Sequence, residues 1–480
     1  MQAGSPRPNL LYILADDHAG YVMGAAGDRL AETPHLDRLA AEGTRFSRHF
    51  CNSPVCTPSR QSFLTGQMPH MAGVTVLRTP LAEDKPTVAR QLQKTSRATA
   101  VFGKMHFNRP SRPGLHGFDY LMTEQDIGAA WGNLAPSRPA PENVRTKPPW
   151  RPFKDPARIW LNAEKLPFPR HDDEMRGSFI ARHACRYLEE NKDRPFALWV
   201  SFQEPHSPFD FPIEDREHFA PARFPVPRVG PDDRGQIPLI FGDLTDSEKQ
   251  GIIAAYYTSV RFLDRNIGRV LEKLRALGLE ENTLVVYHAD HGYSLGQHGR
   301  FEKHCGYNPA LHVPLILRWP GHVRRGVVSD MTEHIDVPHT ILDLMGADPL
   351  PVQHGQSLRP YLEARRAQPR DHIFSEYLEN EEAFIRTDRH KLIFCTGRRH
   401  RQDGYATGSP TPGRYVRVFD LQKDPGEYVN IASKSPEIVS RLESLLLDRF
   451  RKTHPEAGLE PQRLSTEEAL EWFLRPRDAV

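Results

Sequence analysis

The chain has 480 residues, with 63 Lys and Arg against 61 Asp and Glu, so its formal net charge is +2 and its pI is about 8.2. This balance excludes the strongly basic field of a dedicated nucleic-acid binder, and we expect no nucleic-acid partner. Apolar residues at 38% and charged residues at 26% are typical of a globular chain and exclude a disordered one. The longest apolar runs, such as residues 10–15, have the length of one strand. Because a bilayer-spanning helix needs roughly 20 apolar residues, we expect no membrane partner.

Residues 1–8 lack the apolar core of a signal peptide, which predicts a cytoplasmic protein for the sequence as given. The cysteines are odd in number and widely spread, so they do not form a disulfide framework. The five are Cys51, Cys56, Cys185, Cys305 and Cys395. One of them is therefore a candidate reactive residue.

The apolar patterning predicts strands and helices in alternation over most of the chain. In chain order we predict a strand at 9–15, helices at 34–41, 58–66 and 86–93, strands at 99–102 and 196–202, a long helix at 246–277 and a strand at 283–288. This alternation indicates an α/β fold with a mostly parallel central sheet flanked by helices. In such sheets, ligands bind beyond the carboxyl ends of the strands.

A boundary is predicted in the Pro- and Gly-rich stretch 348–356, which divides the chain into a domain at 1–350 and a smaller C-terminal α+β domain at 351–480. Residues 372–378, 384–394 and 415–421 alternate like antiparallel strands, and 435–452 has the pattern of an amphipathic helix. In the tail, Leu470, Trp472 and Phe473 form an apolar cluster. We expect this cluster to dock on a partner subunit of a homo-oligomer.

Two of the predicted strands end in adjacent charged residues that are candidate metal ligands. Asp16 and Asp17 follow the first strand, and Asp290 and His291 follow the strand at 283–288. Neighbouring carboxylates repel each other unless a positive charge neutralises them, and a hard divalent cation prefers several oxygen ligands. The alternative is structural, with the aspartates capping a helix and the histidine hydrogen-bonded in the core. Spacing alone favours the structural alternative.

Cys56 lies at the predicted mouth of a helix, where Arg60 and the helix dipole could activate a thiol. The alternative is a buried cysteine beside a helix-initiating proline. Four further titratable residues follow predicted strands: Lys104, His106, His206 and Lys303. Together they indicate a site with one cation, several positive side chains and a nucleophile, which suits an ester of sulfate or phosphate.

The segment Cys56-Thr57-Pro58-Ser59-Arg60, followed by Leu64-Thr65-Gly66, resembles the signature of type I sulfatases in the alkaline phosphatase superfamily. In that family the Cys-x-Pro-Ser-Arg cysteine is oxidised to Cα-formylglycine. Further segments resemble the family in the same order along the chain. They are residues 33–40, Gly103-Lys104-Met105-His106, Pro205-His206-Ser207-Pro208, Asp290-His291-Gly292, residues 313–316, and residues 388–392 with 419–426.

The resemblance implies an alkaline-phosphatase-like fold and a role for each matching residue. Asp16, Asp17, Asp290, His291 and the modified Cys56 would bind one divalent cation, calcium in most members, with Mg²⁺ or Mn²⁺ as alternatives. Arg60 would stabilise the hydrated formylglycine. Lys104, His206 and Lys303 would hold the sulfate, and His206 or Lys303 would protonate the leaving alcohol. His106 would be the base that releases sulfate and restores the aldehyde.

The same resemblance implies two partners, a sulfate ester of a small molecule or carbohydrate and the maturation enzyme that generates formylglycine. Two departures from the common pattern are His291, where many members have Asn, and Met105, which replaces a common Trp. Two alternatives keep the fold. One is a phosphonate monoester hydrolase or phosphodiesterase, and the other is a non-catalytic binding protein in which Cys56 is never modified.

The substrate is weakly encoded in the sequence. The segment 103–107 with 115–118 is similar to choline sulfatases, and a cationic head group is best held by aromatic rings. The aromatic residues available near the proline-rich stretch 136–169 are Trp131, Trp150, Phe153 and Trp160. Their alternative role is to pack that stretch onto the sheet, and a carbohydrate sulfate remains an equal candidate.

Overall fold

The structure is a computed structural model that describes residues 7–147, 156–398 and 414–478. Within these residues the strands are β1 Asn9–Ala15, β2 Thr44–Phe46, β3 His49–Phe50, β4 Ala98–Gly103, β5 Tyr120–Thr123, β6 Phe196–Ser201, β7 Thr283–Ala289, β8 His312–Val313, β9 Leu315–Arg318, β10 Gly326–Val328, β11 Thr332–Glu333, β12 His372–Tyr377, β13 Glu382–Thr387, β14 His390–Cys395 and β15 Tyr415–Asp420. The helices are α1 Pro34–Glu42, α2 Cys56–Thr65, α3 Pro69–Ala72, α4 Val88–Gln93, α5 Glu124–Gly132, α6 Ala157–Trp160, α7 Arg176–Glu190, α8 Leu239–Gly242, α9 Asp246–Ala276, α10 Asn308–Leu311, α11 Asp336–Met345, α12 Arg359–Leu362, α13 Pro436–Thr453 and α14 Thr466–Phe473.

Eight strands form the central sheet in the order β10-β2-β9-β7-β1-β6-β4-β5. The five neighbours β7, β1, β6, β4 and β5 run parallel, whereas β9 pairs antiparallel with both β7 and β2. All seven residues of β1 are buried, as expected for a parallel strand covered on both faces. The mostly parallel α/β sheet predicted from the sequence is confirmed.

Each face of the sheet has its own hydrophobic core, because alternate residues of a strand point to opposite faces. Leu11 and Ile13 of β1 belong to one core, which α1, α7 and α9 cover. Leu10 and Leu14 belong to the other, which α2, α4 and α11 cover. This arrangement leaves the strand ends as the place where polar side chains gather.

The C-terminal part contains a separate antiparallel sheet in the order β12-β13-β14-β15, onto which α13 packs. The predicted strand at 384–394 is wrong in one respect, since it is two strands joined by a tight turn at residues 388–389. In that turn the Thr387 hydroxyl accepts from His390 N at 2.9 Å. The domain boundary near residue 350 stays a prediction.

The tail is folded against its own chain. Leu470 and Phe473 of α14 are fully buried, and the Phe473 ring stacks on Phe450 of α13 with centroids 5.4 Å apart. Two of the three residues expected at a subunit interface therefore complete the core of the C-terminal part. In the described ranges, no helix combines the length and the apolar composition required to cross a bilayer.

Candidate active site

The site lies at the carboxyl ends of four adjacent parallel strands. In the sheet order β7-β1-β6-β4, the strands run directly into Asp290, Asp16, residues 202–206 and Lys104. Asp17 N donates to Asp290 Oδ1 at 3.1 Å, which joins the ends of β1 and β7. The parallel topology thus brings together side chains that lie up to 274 residues apart in the sequence.

Cys56 is the first residue of α2, so the predicted helix begins two residues earlier than Pro58. A proline in the first turn is compatible with a helix because its missing N–H would have no intrahelical acceptor there. The Cys56 Sγ lies 3.1 Å from His291 Nε2, 3.6 Å from Asp16 Oδ1 and 3.9 Å from Lys104 Nζ. The cysteine is therefore at the centre of the predicted residues.

The unmodified thiol is poorly suited to act as a nucleophile. Burial, together with the charge of Asp16, raises the pKa of Cys56 above its usual value, and Lys104 and Lys303 only partly offset this rise. Since the thiolate is the reactive form, the helix terminus and the neighbouring cations do not activate Cys56.

Four residues form a group that could hold a metal ion: Asp16, Asp17, Cys56 and His291, whose ligand atoms all lie within 4.8 Å of one another. Asp290, the fifth predicted ligand, is outside this group and lies beside it. Its carboxylate accepts from Arg60 Nε at 2.9 Å and from His291 N at 2.9 Å.

The donor set fits a hard divalent cation. Asp17 Oδ2 is buried and has no hydrogen-bond partner in the described part of the chain, and Asp16 Oδ2 is buried in ion pairs with Lys104 and Arg60. Burial raises the pKa of Asp17 to about 7, although Lys303 and His291 act in the opposite direction. A cation would satisfy these oxygens. Calcium and magnesium prefer oxygen to sulfur, so replacing the Cys56 sulfur by an oxygen would improve the set.

Three positive side chains surround these carboxylates. Lys104 Nζ forms an ion pair with Asp16, and Lys303 Nζ lies 2.8 Å from Asp17 Oδ1. Burial alone would lower the pKa of Lys104, but the charges of Asp16 and Cys56 together outweigh burial and raise the pKa, so the ammonium stays protonated. Burial likewise opposes the charge of Arg60, and the carboxylates of Asp290 and Asp16 outweigh it and raise its pKa. The site therefore carries permanent positive charge suited to an anionic ester.

The predicted catalytic histidines, His106 and His206, are neutral near pH 7. Burial lowers the pKa of His106 well below its usual value, and the nearby Lys104 and Arg60 lower it further. Burial also lowers the pKa of His206, with Lys303 and Lys104 adding to the effect. His206 Nδ1 lies 2.6 Å from the carbonyl oxygen of Ser207, which fixes that ring nitrogen as the donor.

Two residues that support the site were not predicted from the sequence. Glu124 begins α5 and accepts from the backbone N–H groups of Met105 and His106, and Gln61 of α2 donates to their carbonyl oxygens. No spacing rule connects Glu124 to His106, because their contact depends on how β5 lies beside β4. Gln61 adjoins the pentapeptide, but its residue type carries no signal by itself.

A second group of buried metal-ligand types lies behind the site and consists of His49, His288 and His334. His49 Nε2 is 3.0 Å from His288 Nε2, and the outer nitrogens of these rings meet the hydroxyls of Thr332 and Tyr12. Neutral rings satisfy this chain without a cation, with either the Tyr12 or the Thr332 hydroxyl as the first donor. The third ring, His334, has a buried Nε2 without a hydrogen-bond partner in the described part of the chain. Burial lowers the pKa of His288 to about 3.

The aromatic residues near the proline-rich stretch do not form an open enclosure among the described residues. Trp160 is 1% exposed and packs in the core beneath α9. Trp131 donates through Nε1 to the carbonyl oxygen of Glu174 and stacks on Arg170. Their packing role is the one the structure supports, and Trp150 and Phe153 lie outside the described residues.

A family model described as Sulfatase matches residues 8–347. The chain belongs to the sulfatase family. A second model, the C-terminal region of N-sulphoglucosamine sulphohydrolase, matches residues 296–452 of this sulfatase. The resemblance inferred from the pentapeptide is confirmed, and so is the predicted enzyme class, a sulfuric ester hydrolase.

Curated relatives and solved structures extend over nearly the whole sulfatase chain. A choline-sulfatase of Rhizobium meliloti is 28% identical and covers 89% of this chain and 82% of the relative. The phosphonate monoester hydrolase of Agrobacterium radiobacter is 23% identical with a TM-score of 0.78, covering 96% of this chain and 98% of that one. A protein solved with its substrate, D-glucosamine-2-N,6-O-disulfate, is 23% identical with a TM-score of 0.73, covering 94% and 98%. At this level of identity, both solved structures show that they share the fold of this chain.

Proposed function

We propose that this sulfatase hydrolyses an O-sulfate monoester of a small molecule or carbohydrate at Cys56, after oxidation of that residue to formylglycine. The observation that carries the proposal is the position of Cys56 at the start of α2, with Asp16, His291 and Lys104 all within 3.9 Å of its sulfur. Since the pKa of the thiol is raised, an oxygen nucleophile generated by oxidation suits the site better than sulfur.

One divalent cation, calcium by preference, would be held by Asp16, Asp17, Asp290 and His291 together with the modified Cys56. The unpartnered Oδ2 of Asp17, in a cluster of buried carboxylates, supports this assignment. The cation would supply Lewis-acid stabilisation of charge at the nucleophile and at the sulfate oxygens, and formylglycine would supply the hydroxyl that attacks sulfur.

The remaining steps belong to side chains of this chain. The ammonium groups of Lys104 and Lys303 would bind two sulfate oxygens, and Arg60 would hold Asp290 in place through its 2.9 Å contact. Lys303 is the better proton donor to the leaving alcohol, because the lowered pKa of His206 leaves little of its imidazolium form near neutral pH. His206 would then orient the ester.

His106 would act as the base that completes sulfate release. Its lowered pKa keeps the imidazole neutral, which is the form a base requires. Its Nδ1 is buried without a hydrogen-bond partner among the described residues, so no carboxylate competes for it.

The decisive experiment is a peptide mass on protein from the native host. Trypsin releases residues 49–60, which contain Cys51 as an internal control beside Cys56. We expect fragmentation to place an aldehyde at Cys56 and a thiol at Cys51. An alkylatable thiol at Cys56 in all of the protein would contradict the proposed nucleophile and favour the binding-protein alternative.

A turnover panel then defines the substrate class. Choline sulfate, aryl sulfates and sulfated sugars are the primary candidates, and the similarity to phosphonate monoester hydrolases makes a phosphonate monoester the necessary comparison. We expect a higher kcat/KM on a sulfate ester. Turnover of the phosphonate without any of the sulfates would establish the alternative function.

A further inference from the structure

Every backbone polar group of residues 104–106, the segment that carries Lys104 and His106, is held by a hydrogen bond. Lys104 N donates to the carbonyl oxygen of Ser201 at 3.1 Å, and the Lys104 carbonyl accepts from Arg60 Nη1 and from the Ser201 hydroxyl. These contacts fix the first residue of the segment to the sheet and to α2.

The next two residues are held from opposite sides. Glu124 Oε2 accepts from Met105 N, and Glu124 Oε1 accepts from His106 N, both at 3.0 Å. Gln61 Nε2 donates to the Met105 carbonyl at 3.3 Å and to the His106 carbonyl at 3.0 Å. One carboxylate and one carboxamide thus account for all four groups.

The segment needs this support because His106 adopts a positive φ of 51°. This left-handed conformation is unfavourable for residues other than glycine and persists only where surrounding contacts impose it. The His106 ring has no compensating anchor at Nδ1, which is buried and unpartnered in the described part of the chain. The direction of the imidazole therefore depends on its backbone.

We propose that Glu124 and Gln61 are positioning residues that aim the His106 imidazole at the reacting group by clamping residues 105–106. The inference rests on the proposed function for the role of His106 as the base. Glu124 suits the task because a carboxylate offers two acceptor oxygens and no donor, and it uses one oxygen for each N–H group. Gln61 suits the complementary task with its two amide hydrogens.

The test is Glu124→Gln, which keeps the shape but replaces one acceptor by an NH₂ group facing a backbone N–H. We expect kcat to fall by about 10- to 100-fold with little change in KM, as for a misplaced catalytic group. Because sulfate release is the step that needs His106, about one equivalent of alcohol per active site should appear ahead of sulfate. A uniformly slower enzyme without this early alcohol would contradict the proposal.

A double-mutant cycle separates positioning from general loss of structure. Added to His106→Ala, the Glu124→Gln substitution should reduce kcat no further, since both changes disable the same base. Additive losses would overturn the inference. A Gln61→Leu variant tests the opposite side of the clamp and should give the same early release of alcohol.

Hydrogen exchange supplies a readout that does not require activity. In a Cys56→Ala background, Glu124→Gln should speed exchange of the amides of residues 105 and 106 while the rest of β4 stays protected. Unchanged exchange there would contradict the clamp. If wild-type protein released no sulfate but exchange responded as expected, the proposed function would fail while the backbone clamp stood.

Asp126→Asn is the matched control. Asp126 lies on the same first turn of α5 as Glu124, but it accepts from Thr123 N and from the Ser111 hydroxyl and does not contact residues 105–106. We expect near wild-type kcat and unchanged exchange at those two residues. An equal loss of kcat in both variants would show that α5 stability, not positioning, explains the effect.

Discussion

The two buried groups of possible metal ligands differ in charge. The acidic group is Asp16, Asp17, Cys56 and His291, and the histidine group is His49, His288 and His334. In the acidic group, Asp17 Oδ2 has no hydrogen-bond partner in the described residues, and Asp16 Oδ2 forms ion pairs with Lys104 and Arg60. In the histidine group, His288 and His49 form a continuous hydrogen-bonded chain with the Tyr12 and Thr332 hydroxyls, whereas Nε2 of His334 is buried without a partner in the described residues. The ligand atoms lie similarly close together in both groups, but one group contains carboxylates and the other consists of imidazoles alone.

The difference indicates which group needs a cation. Buried carboxylates carry charge that must be neutralised, whereas neutral imidazoles and hydroxyls can share protons. Arg60 adds positive charge near His288, which further disfavours a cation in the histidine group. Ser59 joins the two groups, because its hydroxyl donates to the Asp290 carbonyl and lies 3.0 Å from His334 Nδ1. Hydrogen bonds through Ser59 thus connect the histidine group to Asp290, which lies beside the acidic group.

The largest expected effect follows from removing the nucleophile. Cys56→Ala should lower sulfate release by roughly 10⁴-fold or more, because the remaining groups can bind but cannot form the covalent bond. Steady-state release of sulfate measures the loss. The matched control is Cys51→Ala, which removes a buried thiol five residues away. A comparable loss of sulfate release in both variants would show that activity does not depend specifically on Cys56.

Variants of both groups test which of them binds the cation. Asp17→Asn should weaken calcium affinity by more than about 100-fold, since even removing an outer partner of a metal ligand costs about 10–100-fold. Elemental analysis after dialysis and calorimetric titration with calcium measure the change. His49→Gln is the control and should retain one calcium per chain. Loss of calcium in the His49 variant with retention in the Asp17 variant would reverse the assignment.

A smaller effect is expected from breaking the chain of neutral hydrogen bonds. Tyr12→Phe removes the hydroxyl that is hydrogen-bonded to His288 Nδ1 and leaves that buried ring nitrogen without its partner. The free energy of unfolding should fall by about 1–3 kcal/mol, measured by urea denaturation, with calcium content and kcat unchanged. The exposed Tyr120, changed to Phe, serves as a control with no expected effect. A Tyr12 variant that lost calcium would tie the two groups together functionally.

The smallest effect concerns the pH dependence of kcat. Burial, with Lys104 and Arg60 nearby, lowers the pKa of His106 well below its usual 6.5. The neutral, base-competent form therefore persists as pH falls through 6.5 and is lost only under more acidic conditions. We expect the acid limb of kcat, measured at saturating calcium, to lie below pH 6.5. An acid limb at or above 6.5 would contradict His106 as the base.

Three features are evident from the sequence alone: the α/β class, the strands that end in charged residues, and Cys56 within the pentapeptide. These features are encoded locally, since a buried parallel strand is a continuous apolar run and the pentapeptide is contiguous. Each candidate site residue is therefore indicated separately, by the strand that it follows. Helix α7, Arg176–Glu190, is not evident from the patterns above, although it packs on β6 and α9.

The contacts of the candidate site residues and of the tail are visible only in the tertiary structure. The spacing of the apolar residues in α14 fits contact with a partner subunit as well as contact with the chain's own core. Only their packing against α13 in the structure distinguishes these two roles. The pKa shifts of Cys56 and His106 depend on burial and on charges from distant strands. Glu124 reaches residues 105–106 only because β5 pairs beside β4. Sequence patterns encode which elements form, whereas burial and long-range register set the chemistry of the groups they carry.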